Sequence, residues 1–270
     1  MEDYEQPPEE KLLLIDGLNI VRRVYEAIPA DDSPEKAQGA LRSSLASFRR
    51  ALSEHRPSHV LAPFDFGGRT WRHDLYPAYR QKRKPMPQDL RAALPEFRER
   101  IKDIGIHSIS VEGVEADDVI GTVGGLWAKR KPGAELVVVS NDKDMTIMLA
   151  QGARIRDHFK PEWRDAAWVK AKFFVPPELV HDVLALTGDD SDDVPGVPDV
   201  GATTAGQWIA KYGGLENLLA AAGELKGKRA ENLRAHVDQV RLSRKLVAFK
   251  TDISLGLTWN QLRYQVPVAA

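Results

Sequence analysis

The first half of the chain contains four short apolar runs, at residues 12–15, 60–64, 107–111 and 136–139. Each run is followed by a polar turn and then by apolar residues at helical spacing. The helical stretches include residues 34–55, 89–104 and 116–129. Apolar strands that alternate with helices are typical of a parallel sheet covered by helices on both faces. The pattern therefore predicts an α/β fold over residues 11–175.

The pattern changes after residue 175. Pro176-Pro177-Glu178 begins a short predicted helix that runs through Leu186. A Gly- and Asp-rich stretch at residues 188–201 then leads into another helix from about Thr203. Short helices joined by a glycine-rich hairpin predict a second, all-helical module over residues 176–260. We expect tails at residues 1–10, which are acidic and Pro-rich without an apolar signal segment, and at residues 261–270.

Composition narrows the class of protein. Of the 270 residues, 43% are hydrophobic and 29% charged, as in an ordinary soluble globular protein, and no apolar run approaches the roughly 20 residues of a membrane span. The chain has no cysteine, which excludes disulfides, thiolate metal sites and a cysteine nucleophile and fits a cytoplasmic location. The net charge of −1 does not by itself indicate binding to nucleic acid, but Lys and Arg residues cluster at residues 69–84 and 224–250. This distribution predicts an anionic centre flanked by cationic surfaces.

Carboxylates follow every predicted strand. They are Asp16, Asp65, Glu115, Asp117, Asp118, Asp142 and Asp144. Because parallel strands end at one edge of a sheet, where ligands bind, we expect these side chains to converge. A second acidic cluster, with Asp189 and Asp192, is placed to close the ring.

Converging carboxylates repel one another unless cations neutralise them. An all-oxygen set suits a hard cation, Mg²⁺ or Mn²⁺. Two such ions, about 3.5–4 Å apart, could activate water and stabilise the leaving oxygen in phosphodiester cleavage. A single Asp after a strand is more often a helix cap or turn residue. Acids after all four strands favour a metal site.

Two segments carry features suited to DNA. The hairpin of Gly196, Val197, Val200 and Gly201 resembles a helix-hairpin-helix, in which backbone N–H groups and the next helix N-terminus approach phosphates. An ordinary helix end and turn would look similar. The run at residues 79–84 could contact phosphates through its basic side chains, with Tyr79 or Trp71 available to stack on a DNA base. A run of charges is more often a solvated face.

Short motifs then resemble a known family, the 5′-nuclease domain attached to bacterial DNA polymerase I and flap endonucleases more broadly. They run in family order along the chain: Ile15-Asp16-Gly17, Phe64-Asp65, Tyr79-Arg80, Pro85-Met86-Pro87, Gly113-Val114-Glu115-Ala116-Asp117-Asp118, Asp142-Lys143-Asp144-Met145, Leu186-Thr187-Gly188-Asp189, Pro195-Gly196-Val197-Pro198 and Tyr212-Gly213-Gly214-Leu215. The stand-alone length and the segment Arg156-Asp157-His158-Phe159 with Trp163 look nearest to the exonuclease IX type.

The resemblance implies a PIN-like core, a flexible arch at about residues 66–95, and a helix-hairpin-helix that binds duplex DNA, often with K⁺. It also implies Mg²⁺-dependent hydrolysis of DNA with 5′ flaps, nicks or 5′ ends. We separately expect the protein to be a monomer. The nine acids named above become metal ligands or their supports. Tyr79, Arg80 and Arg83 become arch residues that handle the scissile region. Arg80 stands where a lysine is usual, and Thr203 replaces a lysine common after the hairpin.

Two other functions stay open at this point. A ribonuclease of the PIN-type fold is one, although such domains are usually shorter and lack the module at residues 188–214. The second is a protein that binds DNA junctions without cutting them. The absence of the usual lysines at Arg80 and Thr203 leaves this function open. The sequence favours a structure-specific 5′-nuclease over both.

Overall fold

A computed structural model describes residues 10–160 and 162–266 and places one mixed sheet at the centre of the molecule. Its strands are β1 (Lys11–Ile15), β2 (His59–Pro63), β3 (His107–Ile109), β4 (Glu135–Val139), β5 (Arg154–Asp157) and β6 (Glu162–Arg164). They lie in the order β3-β2-β1-β4-β5-β6, with the first five parallel and β6 antiparallel at the edge. The four predicted strands are confirmed, while β5 and β6 were not predicted.

Helices cover both faces of this sheet. Those of the α/β part are α1 (Gly17–Ala27), α2 (Pro34–His55), α3 (Trp71–Leu75), α4 (Gln88–Lys102), α5 (Ala116–Arg130) and α6 (Ala166–Phe173). Leu13 and Ile15 of β1 pack toward α1 and α2, whereas Leu12 and Leu14 pack toward α5. Alternate residues of a strand point to opposite faces, so a strand buried on both faces must be continuously apolar. That requirement explains the run at residues 12–15.

The helical module packs around a hydrophobic core to which α6 and Tyr79 of the α/β part also contribute. Its helices are α7 (Val180–Thr187), α8 (Ala202–Tyr212), α9 (Leu215–Ala220), α10 (Lys228–Ala235) and α11 (Val237–Val247). Leu184, Ile209, Leu218 and Leu246 are among the buried residues that hold these helices together. Within the described ranges, no helix has both the length and the apolar character needed to cross a membrane.

The chain after α11 returns to the α/β part. Ile253, Leu255 and Leu257 pack against the cluster on α5, and a last short helix, α12 (Trp259–Leu262), ends there with Leu262 buried. Arg263 then bridges His59 of β2. The expectation of a tail from residue 261 is therefore wrong for the described residues up to 264, because their apolar side chains complete the core. Of the tail expected at residues 1–10, residues 1–9 lie outside the described ranges, as do residues 267–270, whereas the Glu10 carbonyl accepts from the Glu135 N–H (3.0 Å).

The segment expected to form an arch at residues 66–95 has two parts. Residues 88–95 belong to α4, where Leu90 and Phe97 are buried in the same cluster as α2. Residues 66–87 form the loop that contains α3 and carries Tyr79 and Arg80. Only this second part, called the 66–87 loop below, borders the predicted site.

Candidate active site

Four of the nine predicted carboxylates line one cleft of about 330 Å³ at the carboxyl edge of the sheet. They are Asp16, Asp65, Asp117 and Asp142. Asp16 directly follows β1, Asp65 follows β2, Asp117 lies in the first turn of α5 after β3, and Asp142 follows β4. The alternation of strands and helices thus brings together side chains that are 126 residues apart between the first and the last.

Backbone and hydroxyl groups hold the cleft carboxylates in place. Asp16 caps α1, where the Asn19 N–H donates to its Oδ1 (3.2 Å) and the Ser140 hydroxyl donates to its Oδ2 (3.0 Å). The Ala116 N–H donates to Asp65 Oδ1 (2.8 Å), which links the end of β2 to the start of α5. The capping explanation considered for Asp16 therefore holds, and the same carboxylate also lines the cleft.

The cleft carries negative charge that the arginines in its lining compensate only in part, with Arg80 Nη1 3.7 Å from Asp65 Oδ2. Burial, with Asp65 close by, raises the pKa of Asp16 to about 7. Burial also raises the pKa of Asp117 well above its ordinary value, and the charges of Asp142, Asp16 and Asp65 add to this rise. The pKa of Asp142 is raised in the same way, chiefly by burial. A cation in the cleft would relieve this repulsion.

Three further predicted acids are already paired with basic side chains. Arg80 donates through Nε to Asp192 Oδ1 (2.9 Å) and through Nη2 to Asp192 Oδ2 (3.0 Å), and its Nη2 also lies 2.9 Å from Glu115 Oε2. Arg83 reaches Asp192 at 3.2 Å. Lys143 Nζ lies 3.0 Å from Asp189 Oδ2. Although burial opposes ionisation of Asp192, Arg80 and Arg83 hold its pKa below its ordinary value.

Tyr79 completes the paired group rather than the cleft. Its side chain is buried, and its hydroxyl donates to Glu115 Oε2 (3.1 Å) and Asp192 Oδ2 (2.9 Å). A ring enclosed in this way cannot stack on a DNA base, so the stacking role considered for Tyr79 is wrong in this conformation. Burial raises the pKa of Tyr79 above its ordinary value, which keeps the hydroxyl protonated as a donor.

The ligand role predicted for Asp118 is corrected by the structure. Asp118 is fully buried and faces away from the cleft lining. Arg72 forms a bidentate pair with it (2.8 and 2.9 Å), and Trp71 Nε1 and the Lys250 N–H donate to the same carboxylate. Successive side chains on a helix point roughly 100° apart, and of these two neighbours only Asp117 lines the cleft. Asp118 holds the start of α5 instead.

Asp144 lies beside the paired group, as the first residue of a 3-10 helix (Asp144–Gln151). Burial, and the charge of Asp142, raise its pKa well above the ordinary value. Its Oδ1 is buried and has no hydrogen-bond partner among the described residues. A buried carboxylate oxygen without a donor is costly, which marks a place for a cation or water.

The predicted DNA hairpin lies between α7 and α8. A side chain on Gly196 would meet the Thr187 carbonyl oxygen at 2.2 Å, so the hairpin packs directly on the end of α7. Gly201 caps α8 and faces open space, and Thr203 is exposed in the first turn of that helix. Val197 and Val200 were predicted to contact DNA, but both are buried. Their N–H groups donate to Leu186 and Val197 carbonyls, so they shape the hairpin instead.

The structure also brings in residues that the sequence patterns did not single out. Arg22 and Arg23 of α1 line the cleft with Arg80 and Arg83, together with the amide side chains of Asn19 and Asn141. Asn141 stands between Ser140 and Asp142 at the end of β4, a position that could have been considered with the acids. Arg22 and Arg23 carry no sequence signal beyond their place on α1.

The donor set of the cleft fits a hard divalent cation. Among the described residues, no three His, Asp or Glu side chains converge closely enough to form a complete cage for one ion. Mg²⁺ is usually held by one or two carboxylates and keeps several waters, so an open cleft of four aspartates is compatible with it. The raised pKa values of Asp16 and Asp117 and the unpartnered oxygen of Asp144 point to the same chemistry.

Comparison with known families decides the identity of the fold and of its motifs. A sequence model for the N-terminal resolvase-like domain of 5′-3′ exonuclease matches residues 11–174, and one for the C-terminal SAM fold of 5′-3′ exonuclease matches residues 175–270. The chain belongs to the 5′-3′ exonuclease family. The resemblance drawn from the sequence motifs is therefore confirmed.

Relatives within the 5′-3′ exonuclease family match over almost their whole length. The protein called flap endonuclease Xni of Aeromonas hydrophila is 36% identical over 261 residues, which cover 95% of this chain and 97% of the relative. The protein of the same name from Vibrio atlanticus is 33% identical over 256 residues, or 94% and 97% of the two chains.

Solved structures show the same fold. The zinc-bound T5 5′-exonuclease superposes with a TM-score of 0.72 at 20% identity, over 90% of each chain. The catalytic core of Rad2 in complex with DNA substrate gives a TM-score of 0.61 at 15% identity, over 96% of this chain and 84% of that one. The predicted α/β fold with a C-terminal helical module is confirmed.

Proposed function

We propose that this chain is a structure-specific 5′-nuclease that hydrolyses DNA at 5′ flaps, nicks and 5′ ends with Mg²⁺ or Mn²⁺. The observation that carries the proposal is the cleft of Asp16, Asp65, Asp117 and Asp142, rimmed by arginines, beside a glycine hairpin. Relatives named flap endonuclease support it. A T5 flap endonuclease of similar fold, whose structure is a pseudo-enzyme-product complex with DNA and metal ions, also supports the proposal.

The four cleft aspartates, with Asp144 beside them, are the residues that would hold divalent cations. Glu115, Asp189 and Asp192 support this set and join it only when their basic partners leave. When bound there, divalent cations would supply charge neutralisation and a more acidic water for attack on the phosphodiester. The carboxylates position that chemistry, since backbone and hydroxyl groups fix Asp16 and Asp65.

Arginines on the rim bind the DNA phosphate. Arg22, Arg23, Arg80 and Arg83 all line the cleft, so a phosphate that enters it meets several forked, permanently charged donors. Arg80 and Arg83 orient the scissile phosphate by exchanging contacts with Asp192 for contacts with phosphate oxygens. Tyr79 acts through its hydrogen bonds to Glu115 and Asp192, which keep the 66–87 loop at the edge of the cleft.

The hairpin grips the duplex next to the cut. Gly201 faces open space and Thr203 is exposed in the first turn of α8, where N–H groups point out of the helix. The family resemblance adds a K⁺ ion at this hairpin. We further propose that the protein acts as a monomer in the bacterial cytoplasm, where its DNA substrates lie.

A second function is favoured by one observation. Arg80 saturates Asp192 and contacts Glu115, so part of the acidic set is already neutralised by the protein itself. A protein that bound DNA junctions without cutting them would need no exchange of these partners. It would show tight, salt-sensitive binding and no metal-dependent product.

Substitution of the cleft carboxylates tests the site. Asp117→Asn and Asp142→Asn each remove one negative charge while keeping the side-chain shape. We expect both variants to lose cleavage and to bind DNA at least as tightly as the unsubstituted protein, because less negative charge faces the phosphates. Asp165→Asn is the matched control, since Asp165 caps α6 away from the cleft and Asn is an equally good cap.

The readouts are single-turnover cleavage of an end-labelled 5′-flap DNA and its equilibrium binding. Undiminished cutting by both Asp117→Asn and Asp142→Asn would refute the site assignment. Loss of cutting by the Asp165→Asn control would mean that the assay reports folding rather than the cleft.

A further inference from the structure

Helix α11 connects the predicted duplex grip to the α/β part of the molecule. In the first two turns of α11, the Gln239 side-chain amide donates to the Gly196 carbonyl (2.8 Å), and the Ser243 hydroxyl donates to the Pro195 carbonyl (2.6 Å). Both carbonyls belong to the hairpin between α7 and α8. The position of the hairpin is therefore tied to side chains of α11.

The other end of α11 is held by Arg72 of the 66–87 loop. Arg72 Nε donates to the Leu246 carbonyl (2.8 Å) and Nη2 donates to the Ala248 carbonyl (2.9 Å). A cation at the carboxyl end of a helix also interacts favourably with the helix dipole. Arg72 thus satisfies the last carbonyls of α11 with both hydrogen bonds and charge.

The same guanidinium fixes the first turn of α5. Its two terminal nitrogens pair with both oxygens of Asp118 (2.8 and 2.9 Å), and Nη1 lies 3.6 Å from Glu115 Oε2. Asp117 stands between these two residues in the chain and points into the cleft. A shift in this first turn would move the Asp117 carboxylate with it.

Only an arginine can make this set of contacts. Its planar fork has five donors in fixed directions, whereas the ammonium of a lysine is a single point. The Arg72 side chain is 4% exposed, and Asp118 is not exposed at all. Because both charges are buried, the pair persists only with all its hydrogen bonds in place.

We propose that Arg72 is a positioning residue that sets the register between the hairpin and the cleft, and so selects which phosphodiester is cut. This inference rests on the proposed nuclease function. The path runs from the hairpin carbonyls through Gln239 and Ser243 of α11, then through Arg72 to Asp118 and the neighbouring Asp117. With this path intact, a duplex held at the hairpin presents one phosphate to the cleft.

The test is to map cleavage products of a 5′-flap DNA at single-nucleotide resolution for Arg72→Lys and Arg72→Ala. We expect cuts at neighbouring phosphodiesters to appear in place of a single product. We also expect kcat to fall by up to about 100-fold, because a misplacement near 1 Å costs that much, while KM and duplex affinity stay within about twofold. Arg72→Lys should retain more of the single product than Arg72→Ala, since it keeps the charge.

Two further variants separate positioning from simple stability. Ser243→Ala loosens the hairpin end of α11 without touching α5, and should also broaden the product pattern. Arg244→Lys is the control, because Arg244 pairs with Asp182 of α7 (2.6 Å) and not with α5. It should lower thermal stability slightly and leave one product. Should Arg72→Ala fail to fold, Arg72→Lys and Ser243→Ala carry the test.

A single unchanged product from folded Arg72→Lys and Ser243→Ala, with kcat also unchanged, would overturn the inference. So would a purely structural pattern, in which kcat falls only in proportion to the fraction unfolded. Failure of the unsubstituted protein to cut any flap would instead overturn the proposed function, which keeps the two failures distinguishable.

Discussion

Replacement of Asp16 by Asn should stabilise the cation-free protein at neutral and alkaline pH. Asp16 is 6% exposed at the carboxyl end of β1 and shares its surroundings with Asp65 and Asp142. Its carboxylate must be ionised above pH 7 in a place that disfavours the charge. Asparagine keeps the N-cap of α1, because its side-chain oxygen can accept the same Asn19 N–H.

The size of the effect follows from the pKa. Burial chiefly, with Asp65, raises the pKa of Asp16 from 3.8 to about 7 in the folded protein. A raised folded-state pKa contributes stability that is present below the unfolded pKa and lost as pH rises through 7. Each tenfold change in proton affinity is worth about 1.4 kcal/mol, so the ionised Asp16 costs at most about 4 kcal/mol.

The assay is urea unfolding of the unsubstituted protein and Asp16→Asn, in EDTA, at a series of pH values from 4 to 8. We expect the two proteins to differ little near pH 4 and the variant to become more stable as pH approaches 8. Added Mg²⁺ should close the gap by stabilising the unsubstituted protein more. Equal or lower stability of Asp16→Asn at pH 8 in EDTA would refute the electrostatic account of the cleft.

Two further predictions concern the hairpin. Gly196→Ala should lower the free energy of unfolding by about 1–3 kcal/mol, because the new Cβ would lie 2.2 Å from the Thr187 carbonyl oxygen. Gly201→Ala should change it by less than about 0.5 kcal/mol, since that site opens to empty space. Chemical denaturation of both variants measures the contrast, and equal effects would contradict the packing. Thr203→Lys should tighten duplex binding and steepen the slope of the logarithm of the DNA association constant against the logarithm of the salt concentration by about 0.9, as expected for one more phosphate contact. An unchanged slope in a salt titration would place residue 203 outside the DNA interface.

Much of the fold followed from the sequence because burial on two faces leaves a strong local signal. The runs at residues 12–15, 60–64 and 136–139 are continuously apolar, as a buried parallel strand must be. The parallel strand β3 reads His-Ser-Ile and is only half-buried, because it lies at the other edge of the sheet. By contrast, β5 contains Arg154 and Arg156, and β6 contains Glu162 and Arg164, since these strands lie at or near the open edge of the sheet. Charged strands of three or four residues carry no such signal.

The candidate site was predictable in its residue types but not in its pairings. Asp16, Asp65 and Asp142 each follow a strand, and the edge rule for parallel sheets brings them together. The rule does not say which acid faces the cleft and which faces a base. Arg72 and Asp118 are 46 residues apart, and Arg80 and Asp192 are 112 apart, so only the folded structure pairs them.

The measurement that tests the central claim most directly is incubation of the purified protein with end-labelled 5′-flap, nicked-duplex and single-stranded DNAs, in Mg²⁺, Mn²⁺ or EDTA. The account predicts cleavage near the flap junction that requires a divalent cation and disappears in EDTA. Clear flap binding with no product in either Mg²⁺ or Mn²⁺ would contradict it and would favour a junction-binding protein, with Arg80 and Thr203 the first residues to change to lysine.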